Sequence, residues 1–216
     1  VNAPQRENWK ELVPEQKGVL TGVDFAGDKL ILTYDIDAAN KSYLYSRDGK
    51  QLSEIKFPSV GSAGFSASKK HDEVFYTFTS FIYPSVIYRY DMETGESSVY
   101  KTTEIEGFKS DDYVTEQVFY PSADGTKIPM FITYKKGLKR DGKNPVYLYG
   151  YGGFNMSLNP GFSAQRLLWL ENGGIYAQAN LRGGGEYGEP WHLAGTKQNK
   201  LNVFNDFIAA AEYMIN

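Results

Sequence analysis

The chain has 216 residues, enough for one large or two small domains, and with 41% apolar residues it can bury a core. It contains no cysteine, which excludes disulfides, thiolate metal sites and a cysteine nucleophile. A net charge of −3, with acids and bases interspersed, offers no basic field for nucleic acid, and no apolar run approaches the roughly 20 residues of a membrane span.

In chain order, residues 1–105 read as short strands. "VLTGVDFAG", "DKLILTYDID" and "KSYLYSRDGKQLSEIKF" alternate apolar and polar residues, and Asp48-Gly49 is a strong hairpin signal. "GSAGFSASKKHDEVFYTFTSF" and "SVIYRYDMETGESSVYKT" repeat that logic, with "DMETGE" as the turn. The unit length of roughly 45 residues is in the range of propeller blades.

The pattern changes near Gly107. "YVTEQVFYPSADGTKIPMFITYKK" predicts a hairpin turning at Asp124-Gly125. "NPVYLYGYGGF" reads as a strand buried on both faces and ending in glycines. "FSAQRLLWLENGG" has helical spacing at Leu167, Leu168 and Leu170, stopped by Gly173-Gly174. "GIYAQANLR" predicts another buried strand. "KLNVFNDFIAAAEYMIN" predicts a helix with Phe204, Phe207, Ile208, Ala211 and Ile215 on one face at helical spacing. Strand, helix, strand, helix implies a largely parallel α/β sheet over residues 106–216. "VNAPQRENWKEL" lacks an initiator Met and a signal-peptide pattern, and "AAAEYMIN" stops within a helical pattern. The chain is therefore expected to be a piece of a longer one. The compartment stays open between cytoplasm and periplasm.

Within "NLRGGGEYGEP", Gly183, Gly185 and Gly188 have the G-x-G-x-x-G spacing of a dinucleotide loop. Such a loop must open a helix whose free N–H groups hold the pyrophosphate. Here Glu186, Glu189 and Pro190 follow, and the next clear helix starts near residue 199. Two carboxylates would repel a pyrophosphate, and Asp206 falls inside the helix where a ribose-binding acid should end a strand. The expectation is a close-packed glycine turn in which Arg182 and Glu186 form a local ion pair.

A serine hydrolase on such a sheet needs G-x-S-x-G at a strand-to-helix turn, then Asp and His. "GFSAS" (Gly64–Ser68) and "GFSAQ" (Gly161–Gln165) lack the second glycine. Of the two histidines, His71 is assigned to a solvated hairpin tip. His192 is either a base or a ring hydrogen-bonded within its loop. No His/Asp/Glu cluster has metal-ligand spacing, and no cofactor is expected. "YLYGYGGF" has two readings: an oxyanion-stabilising turn with Tyr149 and Tyr151 as donors, or a turn with packed aromatics.

In order and spacing, "FYTFTSF", "FYPSADGTKIPMFITYKKG", "LYGYGGFNMSLNPGFS", "NLRGGGEYGEPWH" and "FNDFIAAAEYMI" resemble the prolyl oligopeptidase family of serine proteases. The resemblance implies a β plus α/β fold, with residues 1–105 as the last blades of a β-propeller. Residues 106–216 would be the opening part of an α/β-hydrolase catalytic domain, truncated before the nucleophile. It further implies Tyr151 as an oxyanion-hole hydroxyl and Phe154 as a wall for the proline ring. Partners would be short proline-containing peptides, with no nucleic acid and no membrane. The Ser, Asp and His of the family would lie beyond Asn216, so the isolated piece is expected to be inactive. Two other readings remain: a related oligopeptidase with different specificity, such as cleavage after basic residues, and a non-enzymatic propeller interaction module.

Overall fold

The computed structural model describes residues 4–139 and 141–215. Val1–Ala3, at the start of the opening segment read above, Arg140 and Asn216 lie outside it. Among the described residues, twelve strands form three four-stranded sheets. The first sheet is an antiparallel meander of β1 (Val19–Ala26), β2 (Lys29–Ile36), β3 (Ala39–Ser46) and β4 (Gln51–Ile55). The second repeats it with β5 (Ser62–Ser68), β6 (His71–Thr79), β7 (Val86–Tyr90) and β8 (Ser97–Thr102).

Turn chemistry matches the sequence. Gly49 and Gly95 take φ of 87° and 74° in the β3–β4 and β7–β8 turns. The Asp91 carboxylate accepts the N–H groups of Glu93 and Thr94 at 2.8 and 2.9 Å. Central strands carry the burial: β2 is buried from Leu30 to Asp35. Ile31, Leu44, Val74, Tyr76 and Phe78 share one core between the two sheets.

The third sheet has the order β11-β12-β10-β9, from β9 (Tyr113–Pro121), β10 (Lys127–Lys135), β11 (Val146–Gly150) and β12 (Ile175–Ala179). Helix α1 (Ala164–Glu171) crosses from β11 to β12 and makes that pair parallel. β9–β10 and β10–β12 are antiparallel, so the sheet is mixed where the sequence pattern implied a largely parallel one. The reason is local: the Asp124-Gly125 turn, with Gly125 at φ 82°, closes a tight hairpin, and hairpin neighbours must be antiparallel.

β12 is buried throughout, as its apolar run implied. β11 is not: it is the edge strand, and Val146, Tyr147 and Tyr149 are exposed. Two helices follow, the short α2 (Glu189–Leu193) and α3 (Lys200–Ile215). Among the described residues, no helix is long and apolar enough to cross a membrane.

α3 corrects the sequence reading most clearly. Phe204, Ile208 and Ile215 are exposed and Phe207 reaches Gly150 at the end of β11, while Val203, Asp206 and Ala210 pack against the third sheet. The apolar stripe is thus largely exposed in this chain, and the face toward the third sheet is organised by a carboxylate that periodicity did not mark. Asp206, fully buried, receives Arg182 Nη2 at 2.5 Å and Arg182 Nε at 3.0 and 3.1 Å. Ser122 Oγ donates to it at 2.6 Å, and the Tyr120 hydroxyl donates to its carbonyl at 2.9 Å. Arg182 Nη1 reaches Asp124 at 2.5 Å, so one guanidinium joins the end of β12, helix α3 and the β9–β10 turn. Burial and the charge of Asp206 push the Tyr120 phenol well above its ordinary range.

Removing one partner of a buried ion pair leaves the other charge uncompensated. Asp206→Asn is therefore expected to destabilise the fold by about 3–5 kcal/mol, measured by urea unfolding. Asp124 is half exposed, so Asp124→Asn should cost less than about 1 kcal/mol at neutral pH. Its carboxyl is held down to about 2 by the Arg182 hydrogen bond. The stability it adds is complete above its ordinary value of 3.8 and is lost as the pH falls through about 2. Equal losses for the two variants at neutral pH would refute this ranking.

Candidate functional site

The segments after the parallel strands β11 and β12, residues 151–158 and 180–195, lie against each other and against the start of α3. This is where sites form on α/β sheets, beyond the carboxyl ends of the strands. A Cβ on Gly152, which has φ 61°, would sit 2.5 Å from Val203 Cγ1 and 2.8 Å from Arg182 O. Only glycine permits that approach. Lys200 Nζ donates to Gly152 O at 2.9 Å, and the Asn155 N–H donates to Gly183 O at 3.2 Å.

Between those anchors the loop turns outward. Phe154 and Asn155 both have positive φ, 55° and 56°, a conformation that costs non-glycine residues energy and tends to gather at functional sites. The strain presents Tyr151 and Phe154 side by side, ring centroids 6.3 Å apart and planes 27° apart. Tyr151 is 43% and Phe154 82% exposed. Among the described residues the Tyr151 hydroxyl has no hydrogen-bond partner. Tyr149, the other candidate donor, points elsewhere: it lines a groove with Tyr147, Arg166, Trp169 and Tyr176. In that groove the Arg166 guanidinium lies 4.2 Å from the Tyr176 ring centre.

The glycine loop is not a phosphate cradle. Gly183 N–H donates to Trp191 O at 2.9 Å, Gly184 N–H to Leu181 O at 3.3 Å, and Gly188 N–H to Gly185 O at 2.9 Å. The amides that would meet a pyrophosphate are thus spent internally. The helix after the loop is the five-residue α2, earlier than the sequence suggested, and it begins with Glu189 and Pro190. Gly183 instead lets backbones touch: at φ 92° its Cβ would lie 2.6 Å from Gly152 O.

The ion pair expected between Arg182 and Glu186 does not form. Arg182 is taken by Asp206 and Asp124, two carboxylates distant in sequence. Glu186 is buried in the loop and accepts the Leu158 N–H at 3.0 Å and Asn180 Nδ2 at 3.1 Å. Burial pushes its carboxyl above the ordinary glutamate value. Asp35 on β2 is buried opposite and accepts Asn40 Nδ2 at 2.5 Å and Asn159 Nδ2 at 3.0 Å. Burial likewise raises it.

Sequence reasoning passed over Asp35. Its signal was a charged residue inside the otherwise buried run "LILTYD". Serine-triad residues do not assemble here. Ser66 lies within β5, and Ser163 precedes α1 after a long loop. His71 is exposed at the start of β6. His192 Nδ1 lies 2.9 Å from Gly183 O, so its ring bonds within the loop.

The two groups of sheets meet at this site's flank. The β2–β3 turn, Asp37-Ala38, has both residues at positive φ, 51° and 63°. Ala38 is fully buried among Phe81, Tyr113, Phe131, Leu170 and Tyr176. The Tyr187 hydroxyl donates to Asp37 at 2.9 Å, Gln117 Nε2 donates to the Asp37 carbonyl, and Ser62 Oγ donates to Pro160 O at 2.7 Å.

Comparison with known proteins follows the same division. Residues 1–103 match the family model for the prolyl oligopeptidase N-terminal β-propeller domain, and residues 160–216 match the prolyl oligopeptidase family. The chain is 50% identical over 215 residues to a prolyl endopeptidase of Elizabethkingia meningoseptica, covering 99% of this chain and 30% of that protein. A Dictyostelium discoideum prolyl endopeptidase is 45% identical over 99% of this chain and 29% of its own length. A structure from a study of two prolyl endopeptidases and their inter-domain dynamics matches with a TM-score of 0.92 and 44% identity. That match covers 99% of this chain and 32% of the other. The chain thus spans about 30% of the length of the curated relatives it matches. It belongs to the prolyl oligopeptidase family, and it carries the C-terminal blades of that family's β-propeller followed by the first part of its α/β-hydrolase domain.

Proposed function

We propose that the protein containing this chain is a serine-type endopeptidase that hydrolyses short peptides on the carboxyl side of proline. In this reading residues 1–105 are propeller and residues 106–216 open the catalytic domain. The observation that carries it is the Tyr151–Phe154 pair, projected on a strained loop beyond parallel strands with the tyrosine hydroxyl uncommitted.

A serine supplied from beyond Asn216 attacks the prolyl carbonyl carbon while a histidine takes its proton. Negative charge then develops on the carbonyl oxygen. The Tyr151 O–H donates a hydrogen bond to that oxygen, beside a backbone N–H. Such a donor fixed before the reaction stabilises the transition state more than the neutral carbonyl. Collapse of the tetrahedral intermediate expels the amine, which takes the proton from the imidazolium. Water then hydrolyses the acyl-enzyme by the same steps. Phe154 offers a flat apolar face to the pyrrolidine ring, whose nitrogen bears no hydrogen to satisfy. The stacked Tyr151 ring keeps the two functions in register.

Tyr151→Phe in the full-length protein is expected to lower kcat on a prolyl peptide by about 100- to 1000-fold with little change in KM. A wild-type turnover number would sink the assignment. Phe154→Ala should reduce the preference for proline over alanine on the acyl side of the scissile bond by at least about tenfold, read as a ratio of kcat/KM values. The isolated 216-residue chain, without a nucleophile, should release no chromophore from a prolyl-nitroanilide peptide.

A further inference from the structure

Glu186 is 1% exposed, and its two oxygens are treated unequally. Oε1 accepts the Leu158 N–H and Asn180 Nδ2. Oε2 is buried with no partner among the described residues. It lies over Gly184, where an added Cβ would meet it. A carboxylate oxygen buried without a donor is costly to keep charged, and protonation removes that charge.

No cation compensates this group among the described residues. Arg182 is committed to Asp206 and Asp124, and His192 to Gly183 O. The titratable groups facing Glu186 are Asp35 from β2 and its chain neighbour Tyr187. Burial and Asp37 raise the Tyr187 phenol, so that side chain stays neutral. Asp35 is the better-served carboxylate: Asn40 and Asn159 donate to one of its oxygens and Asn159 also reaches the other. Of two buried carboxylates without a cation, the one with both oxygens hydrogen-bonded keeps the charge more readily than the one with a bare oxygen.

We propose that Glu186 is a positioning residue for the loop bearing Tyr151 and Phe154, and that it works as a neutral carboxylic acid, Asp35 of the adjoining blade carrying the negative charge of the couple. This rests on the reading that Tyr151 and Phe154 meet substrate. Glu186 holds the far end of their loop. It takes the Leu158 N–H, and its partner Asn180 donates to Leu158 O at 2.8 Å, where Gln178 also donates at 3.0 Å. The carboxyl is raised by burial first and by Asp35 as well. The stabilisation is therefore complete below the ordinary glutamate value of 4.5 and is lost as the pH rises through the raised value, when a second charge enters the seam beside Asp35.

The test uses the full-length protein. Glu186→Ala should lower kcat/KM on a prolyl peptide by about 10- to 100-fold through displacement of the loop. Glu186→Gln reproduces the acid's acceptor and donor, so it should restore most of that loss and abolish the decline expected of the parent as the pH rises through the raised Glu186 value. Infrared difference spectra should show a protonated-carboxyl band that disappears in Glu186→Gln and titrates at lower pH in Asp35→Asn. Damage from Glu186→Gln equal to that from Glu186→Ala, an unchanged pH profile, or a band indifferent to both substitutions would each overturn the proposal. If Tyr151→Phe is silent while the band and its Asp35 dependence hold, the functional reading has failed and the acid assignment stands. If Tyr151→Phe loses turnover but Glu186→Ala does not, positioning by Glu186 has failed alone.

Discussion

The buried pair of Arg182 and Asp206 ties together the elements built on the third sheet. A bidentate guanidinium–carboxylate contact tolerates little change in angle, so it fixes the exit of β12, the rotation of α3 and the β9–β10 turn against one another. With α3 rotated this way, Val203 presses on Gly152 and Lys200 caps its carbonyl. The strained turn at Phe154 and Asn155 starts from that anchored glycine. An apolar pair in place of the ions could hold the helix, yet would not define its rotation as sharply.

The blades contribute more than their own stability. Asp37 and Ala38 accept a backbone conformation that favours glycine, and the compensation lies across the seam. Ala38 is buried against Phe81, Phe131 and Tyr176, and Asp37 receives Tyr187 and Gln117. The same seam holds Asp35 near Glu186. The loop carrying Tyr151 is thus tied on one side to α3 and on the other to a propeller strand. A shift of blade against hydrolase sheet would be felt at the candidate oxyanion donor.

The glycine-rich loop shows why spacing alone misleads. Its glycines meet backbone rather than phosphate: Gly183 approaches Gly152, and Gly185 approaches Asn155. A phosphate loop leaves its amides free, and here they are donated within the loop. The motif's buried carboxyl is Glu186, which the spacing treats as a variable position.

Much of the architecture was legible in the sequence. Asp48-Gly49 and Asp124-Gly125 announced their hairpins because type-specific turns need glycine's backbone. The apolar run of β12 announced a central strand. These are local signals, carried by a few adjacent residues. Three things were decided only by the tertiary structure. β11 has the same apolar composition as a central strand, and its edge position depends on its neighbours. The inward face of α3 is chosen by Asp206, because a charge with a distant partner can outweigh a stripe of phenylalanines. Arg182 selects Asp206 and Asp124 over the nearer Glu186 because the fold brings those two carboxylates to its guanidinium and sinks Glu186 beside Asp35. Turns and strands follow from propensities of neighbouring residues, whereas the pairing of buried charges depends on which distant segments share a low-dielectric space, and a linear pattern does not encode that.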